Sequence, residues 1–290
     1  MRIAVTGRSG QVVTSILERA PGGVEIVTLG RPELDLADPA TIGPAIAAAA
    51  PDLIVSAAAY TAVDKAESEP GLAQAINGIA PGLIGEAAAA RDIPVIHLST
   101  DYVFAGDKPA PYVETDPTGP ATAYGRSKLE GEQALARATG NHLILRTAWV
   151  YSPFGGNFVK TMLRLAESRD EVRVVADQQG CPTSALDIAD AILALAPRLA
   201  DRQAPRGVFH LVGSGEANWA CFAEAIFAAS AAQGGPSARV VPITTAEYPT
   251  PARRPANSRL ATDKLRAAYG LALPHWRDSL PGTVGRLVRS

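Results

Sequence analysis

Along the first half of the chain, short apolar or β-branched runs alternate with longer stretches whose apolar residues recur at helical spacing. The runs Ile3–Val5, Val24–Leu29, Leu53–Ser56, Val95–Leu98 and Leu143–Leu145 predict strands, and the segments between them predict helices. Leu72, Ile76, Ile79 and Leu83 recur every three or four residues and predict one buried helix face. Such alternation builds βαβ units, so the expected fold is α/β, a Rossmann-type doubly wound parallel sheet. After about Thr147 the pattern loosens into a Gly155-Gly156 turn, a helix through Met162 and Leu165, a strand at Val172–Val175 and segments rich in Pro and Gly. The stretch Tyr248 to Pro255 has three prolines in eight positions and predicts an extended loop, because proline has no N–H for a ladder. The expected organisation is a sheet domain mainly from residues 1–150 and a smaller α+β region mainly from 151–290, with the chain free to cross back between them.

Composition narrows the class without changing the fold. At 290 residues the chain buries a large core, and a net charge of -2 with 19% charged residues resembles neither a polybasic nucleic-acid binder nor a disordered acidic tail. The alanine-rich runs Ala45–Ala50 and Ala87–Ala90 are broken by Pro, Asp or Arg well before bilayer-spanning length, so no membrane partner is expected. Cys181 and Cys221 have no paired spacing, and the chain opens directly on the apolar strand Ile3–Val5. Both features lead us to expect a reducing, cytoplasmic setting. No His, Cys or carboxylate cluster has ligand spacing, so no metal site is expected.

The first chemical signal is the turn Thr6-Gly7-Arg8-Ser9-Gly10-Gln11-Val12-Val13, between the first strand and the first helix. Gly7 permits a tight turn, and Gly10 lets the helix-start amides of Gln11 and Val12 approach a pyrophosphate, whose charge the helix dipole favours. The third glycine of this fingerprint is replaced by Val13, so either the helix stands off from the strand or its neighbours are small. At the end of the second strand, where a carboxylate would take a ribose 2′-hydroxyl, the chain has Gly30 and Arg31, with Arg8 available from the turn. Two guanidiniums favour a 2′-phosphate, so NADPH is the expected cofactor and NADH the alternative.

The second signal is Ser99-Thr100-Asp101-Tyr102 at a strand end, followed by Tyr124 and Lys128 four apart, hence on one helix face. A free phenol, with pKa about 10, is a poor proton shuttle at neutral pH, and a neighbouring ammonium lowers it toward the working range. Thr100, Tyr124 and Lys128 are therefore the candidate catalytic set. Thr100 would hold a substrate carbonyl, Tyr124 would protonate its oxygen, and Lys128 would tune the phenol and donate to a nicotinamide ribose. Arg253 and Arg254, in the proline-rich loop, suit a diphosphate. Asp64 and Glu67, separated by Lys65, read as helix capping and surface ion pairs.

Taken in order, these motifs resemble the extended short-chain dehydrogenase/reductases that act on nucleotide sugars. The resemblance is carried by Ala57 to Pro70, Ser99 to Phe104, Tyr124 to Glu132, Arg146 to Tyr151, Asn157 to Met162, Asp177 to Thr183 and Pro251 to Leu260. It implies reduction of a dTDP-linked 4-keto-6-deoxyhexose. It also implies that Ala58, Ala59 and Tyr60 border the cofactor, that Asp35 and Leu36 flank its adenine, and that Thr61, Val63, Thr100, Asp101, Tyr102 and Trp149 surround the sugar nucleotide. A homodimer is compatible with it. Some relatives bridge theirs through magnesium on a glutamate, whose place Ser15 takes here. Alternatives weighed against it are a reductase of another 4-keto nucleotide sugar, an epimerase or dehydratase, and a non-catalytic NADPH-binding regulatory subunit.

Overall fold

Alternate residues of the predicted strands part to opposite faces of one sheet, which is what burial on both sides requires. In the computed structural model, which describes residues 1–289, the strands are β1 (Arg2–Thr6), β2 (Glu25–Leu29), β3 (Leu53–Ser56), β4 (Val95–Thr100) and β5 (His142–Thr147). Ile3, Val5, Leu53, Val55, Ile96, Leu98, Leu143 and Leu145 pack on one face, and Ala4, Ile54, Val95 and Ile144 on the other. The second face is covered by α2 (Pro39–Ala49), α3 (Ala80–Ala89) and α4 (Ala123–Ala138).

The first face is covered partly from the far end of the chain. Beside α1 (Gln11–Arg19), whose Val13 and Ile16 are buried there, lie Ile188 and Ile192 of α6 (Ala185–Leu195) and Leu265 of α8 (Asp263–Tyr269). The C-terminal half also supplies a strand. With α5 (Phe158–Ala166), β6 (Glu171–Val175), β7 (Gly207–His210), α7 (Trp219–Ala231), β8 (Arg239–Ile243) and α9 (Trp276–Val288) completing the order, the sheet runs β7-β5-β4-β3-β1-β2, six strands with every pair parallel. Strand order reverses between β1 and β3, so the crevice at their carboxyl ends is where an open α/β sheet receives a ligand. The remaining C-terminal elements form a separate core, in which Tyr151, Val159, Phe222, Ile226 and Trp276 pack around the β6–β8 pair.

The expected apolar face at Leu72, Ile76, Ile79 and Leu83 is not the buried one. Leu72 is 42% and Ile79 47% exposed, whereas Asn77, Ala80, Ile84 and Ala88 are buried. Residues Gln74–Ile79 form a π-helical turn. Its i→i+5 bonding adds a residue to the turn and rotates the helix beyond it, so a 3.6-residue count fails across it. Small residues then face α4, where a β-carbon at Gly82 would stand 3.0 Å from that of Ala134.

Candidate active site

The turn after β1 has the conformation its glycines predict. Gly7 adopts φ 101°, and a β-carbon there would meet Val13 Cγ2 at 3.2 Å and the Ala58 β-carbon at 3.4 Å. Val13 therefore keeps its place through small neighbours, and α1 stays against the sheet. Thr6 Oγ1 accepts from the amides of Ala57 and Ala58, both at 3.0 Å, which ties the ends of β1 and β3 together across the crevice. Gly10 caps α1 without any side-chain hydrogen bond, leaving the Gln11 and Val12 amides available to an anion. Ser15 is buried and donates to Gln11 O at 2.8 Å. Gln11 Oε1 accepts from Ser152 Oγ and Asn157 Nδ2, joining the turn to the C-terminal region.

At the β2 end Arg31 is exposed, while Arg8 is ion-paired with Glu33. Glu33 is a carboxylate the sequence pattern does not single out, because it lies beyond the Arg31-Pro32 cis bond rather than at the strand end. Asp35 and Leu36 come next, with Asp35 Oδ1 accepting from Ala37 N at 2.9 Å. Across the crevice, Tyr60 is fixed by its amide to Asn77 Oδ1 at 2.8 Å and by its hydroxyl to Glu69 Oε2 at 2.7 Å. Thr61 is exposed beside it and Val63 half-buried. These groups fit a dinucleotide: a capless helix start, a glycine turn and small residues at the facing strand end.

On the other side of the crevice, α4 begins at Thr122, whose hydroxyl accepts from Gly125 N at 3.0 Å. Its first amide, Ala123 N, donates to Glu67 Oε1 at 2.8 Å. Glu67 thus caps a helix, but one far along the chain. Asp64 likewise takes the Ala252 amide at 3.1 Å and Arg254 at 2.5 Å, tethering the proline-rich loop to the sheet domain. The expected capping and ion pairing is present, Glu67 capping α4 and Asp64 pairing with Arg254, but both partners lie far along the chain, and the pair made within the segment is Lys65 with Glu69.

Tyr124 and Lys128 project from one face of α4 toward the end of β4, and both are buried. The Tyr124 phenol lies beside Thr100 and its ring meets the Tyr102 ring edge-on, centroids 5.5 Å apart. Thr100 Oγ1 also donates to Asp101 Oδ1 at 3.0 Å and accepts from Tyr102 N at 3.2 Å. Burial pushes the Asp101 carboxyl up to about 6, against the opposing bonds from Ser258 and Thr100. The expected lowering of the tyrosine is not seen in the protein alone. Burial drives the phenol well above the usual range, partly offset by Thr100. Lys128 is directed elsewhere, donating to Leu98 O at 2.6 Å, and burial lowers it to about 8. Desolvation outweighs through-space charge here because both groups are buried.

Gly125 is the reason α4 comes so close. A β-carbon there would run into the Tyr102 carbonyl oxygen, which is backbone and cannot swing aside. Gly125→Ala should displace the first turn of α4 and cost at least about tenfold in kcat while cofactor affinity stays near wild type. Steady-state kinetics with a binding titration checks this, and an unchanged kcat would show that the turn adjusts freely.

Beyond Tyr102 a cavity of about 410 Å³ opens between the two regions, lined by Tyr102, Asp177, Thr245, Tyr248, Arg253 and Arg254 among others. Arg254 is held by Asp64 and brings its charge close to the Tyr102 phenol. Arg253 is exposed and makes no side-chain hydrogen bond or ion pair among the described residues. Trp149 adopts φ 48° and stacks on Trp219 with centroids 3.5 Å apart, and a β-carbon on Gly180 would run into its ring. It is wedged between C-terminal elements and half-buried, just beyond the carboxyl end of β5.

A dinucleotide turn at the switch point, facing a Thr-Tyr-Lys set on the adjacent strand and helix, defines a nicotinamide-dependent oxidoreductase of the extended short-chain type. The match to the family described as RmlD substrate binding domain extends over residues 1–289, and the chain belongs to that family, the dTDP-4-dehydrorhamnose reductases. It is 57% identical over 290 residues to the dTDP-4-dehydrorhamnose reductase of Sinorhizobium fredii, covering 99% of this chain and 98% of that one. To that of Burkholderia thailandensis it is 46% identical, covering 100% and 98%. Among solved structures, the Bacillus anthracis dTDP-4-dehydrorhamnose reductase in complex with NADP superposes with a TM-score of 0.91 at 33% identity, covering 97% of this chain and 98% of that one.

Proposed function

We propose that the protein reduces the 4-keto group of dTDP-4-dehydro-L-rhamnose to dTDP-L-rhamnose with NADPH, Tyr124 supplying the proton. The observation that carries the assignment of Tyr124 is its phenol, buried against Thr100 beside the switch-point crevice. When bound, the reduced nicotinamide supplies the hydride. Thr100 holds the substrate oxygen by turning toward the carbonyl the hydroxyl proton it now gives to Asp101. Tyr124 donates its proton as negative charge develops on that oxygen, and its raised pKa keeps it protonated until then. Lys128 donates to the ribose and brings positive charge to the same side.

The Gly7, Gly10, Gln11 and Val12 backbone receives the pyrophosphate, Arg8 and Arg31 face the ribose phosphate, and Asp35, Leu36, Ala58, Ala59 and Tyr60 border the remainder. Thr61, Val63, Asp101, Tyr102 and Trp149 line the sugar-nucleotide side, where the cavity between the two regions offers the room. Residues 1–150 serve mainly the cofactor and the later chain mainly the substrate. The unpaired Cys181 and Cys221 suit a reducing compartment, and we place the reaction in the cytoplasm.

The test is NADPH oxidation by the purified protein with enzymatically generated dTDP-4-dehydro-L-rhamnose, without added metal and beside an NADH control. Substrate-dependent oxidation is the expected result. NADPH binding without turnover would overturn the substrate assignment and direct attention to other 4-keto nucleotide sugars. Within this reading Arg253 meets the substrate diphosphate, so Arg253→Ala should raise KM for the sugar nucleotide roughly tenfold with little change in kcat. A fall in kcat at constant KM would remove Arg253 from that role.

A further inference from the structure

His97 is 1% exposed on β4, and the mechanism above does not use it. With Val95 and Ser99 it faces α4, where Lys128 and Glu132 stand one turn apart. Lys128 Nζ lies 3.3 Å from His97 Nε2 and 2.6 Å from Leu98 O. An ammonium only donates, so Nε2 must be the accepting nitrogen and the ring proton must sit on Nδ1. That proton has an acceptor in Ser56 Oγ, 3.0 Å away at the end of β3. The ammonium thereby sets the tautomer, and Ser56, by accepting the Nδ1 proton, holds the ring in the orientation that meets the lysine.

We propose that His97, locked by Ser56, is a positioning residue: together with the Leu98 carbonyl it fixes two of the three Lys128 N–H bonds and leaves the third for a ligand in the crevice. The proposal rests on the reading that Lys128 donates to the cofactor ribose. A lysine side chain has four torsions, and ordering them before binding removes a cost from the binding step. The His97 ring suits the task because it stays neutral, held well below its ordinary range by burial and by the ammonium itself. The charged groups around the ammonium are few: Glu132 on its own helix favours the charge and is tied to Arg146 of β5, while His142 of β5 acts on His97. Removing the Nε2 acceptor leaves burial less opposed, so Lys128 loses its proton at lower pH as well as losing its direction.

The test begins with the protein alone, labelled with 13C at lysine Cε and titrated by NMR, the Lys128 signal being assigned with Lys128→Arg. His97→Leu should titrate lower than wild type at Lys128, bind NADPH roughly tenfold more weakly and carry a kcat pH limb displaced in the same direction. His97→Gln, whose amide oxygen reaches the place of Nε2, should restore the titration and come within about threefold of wild-type affinity. An unshifted lysine in His97→Leu, or a glutamine variant no better than leucine, overturns the proposal. Should His97→Leu fail to fold, Ser56→Ala carries the test through a lower lysine titration and a two- to threefold loss of NADPH affinity, and wild-type values on both overturn it. The NMR titration needs no substrate, so it separates the two readings. A shifted lysine in a protein inert toward the keto sugar leaves the positioning standing and removes the substrate assignment. An active enzyme whose lysine ignores His97 does the reverse.

Discussion

Tyr124→Phe should bind NADPH almost as the wild type does and lose about a thousandfold or more of kcat. The phenol oxygen is the single atom removed. The ring keeps its edge-on contact with Tyr102, and Thr100 keeps its bond to Asp101, so the pocket holds its shape without the proton. General-acid catalysis by a placed side chain contributes about 10²–10⁴ in rate, and the other acid at this position, Asp101 at about 6, is engaged as the acceptor of the Thr100 hydroxyl. The loss should fall on kcat and on kcat/KM alike, because the proton moves only as charge develops. Single-turnover kinetics with a fluorescence titration of NADPH separates binding from chemistry. A variant that retains a tenth of wild-type kcat would take Tyr124 out of the proton-donor role.

Glu132→Gln should destabilise the fold by about 3–5 kcal/mol, a fall in Tm of the order of 10 °C. Glu132 and Arg146 form a two-pronged pair at 2.9 and 2.7 Å, with both side chains about 5% exposed or less. Ser99 donates to the same carboxylate at 2.5 Å, and the guanidinium lies over the Phe104 ring. Neutralising the carboxylate leaves Arg146 charged in an apolar wall where its Nη1 already has no hydrogen-bond partner. Breaking a buried pair costs more than the pair is worth, so the double variant Glu132→Met with Arg146→Met should recover much of the loss. Calorimetry of the three variants checks this. A loss below about 1 kcal/mol for Glu132→Gln would show that water reaches the guanidinium and that its burial contributes little.

The first five strands of the sheet were readable because each combines β-branched residues with a glycine, proline or polar stop, and burial on both faces keeps the run apolar. β7 was not. Gly207-Val-Phe-His210 is too short to show a period, and its pairing with β5 depends on a crossover that local pattern does not encode. The face misread between Leu72 and Leu83 fails for a definite reason, since the π-helical turn breaks the count on which the reading relied. In the candidate site, Gly7 showed through the glycine spacing after β1, Thr100 through its place at the end of β4, and Tyr124 with Lys128 through their spacing on α4. Asp64, Glu67, Glu33 and His97 act on partners reached through the fold, and their neighbours in sequence say little about them. His97 was the hardest to see, because within Val95-Ile-His-Leu it reads as one polar residue in a buried strand.

That β7 comes from residues 207–210 has a bearing on how the protein is made. Once Thr147 has left the ribosome, β1 to β5 can pair, but β5 then presents a bare row of amides and carbonyls on its outer edge. At 5–20 residues per second the strand that covers that edge arrives only after roughly 3–12 s. For the first part of that interval Ile3, Val5 and Leu143 also lack the cover of α6, which emerges from Ala185 onward. The open edge of the sheet thus stands uncovered at a stage when the dinucleotide turn is already complete.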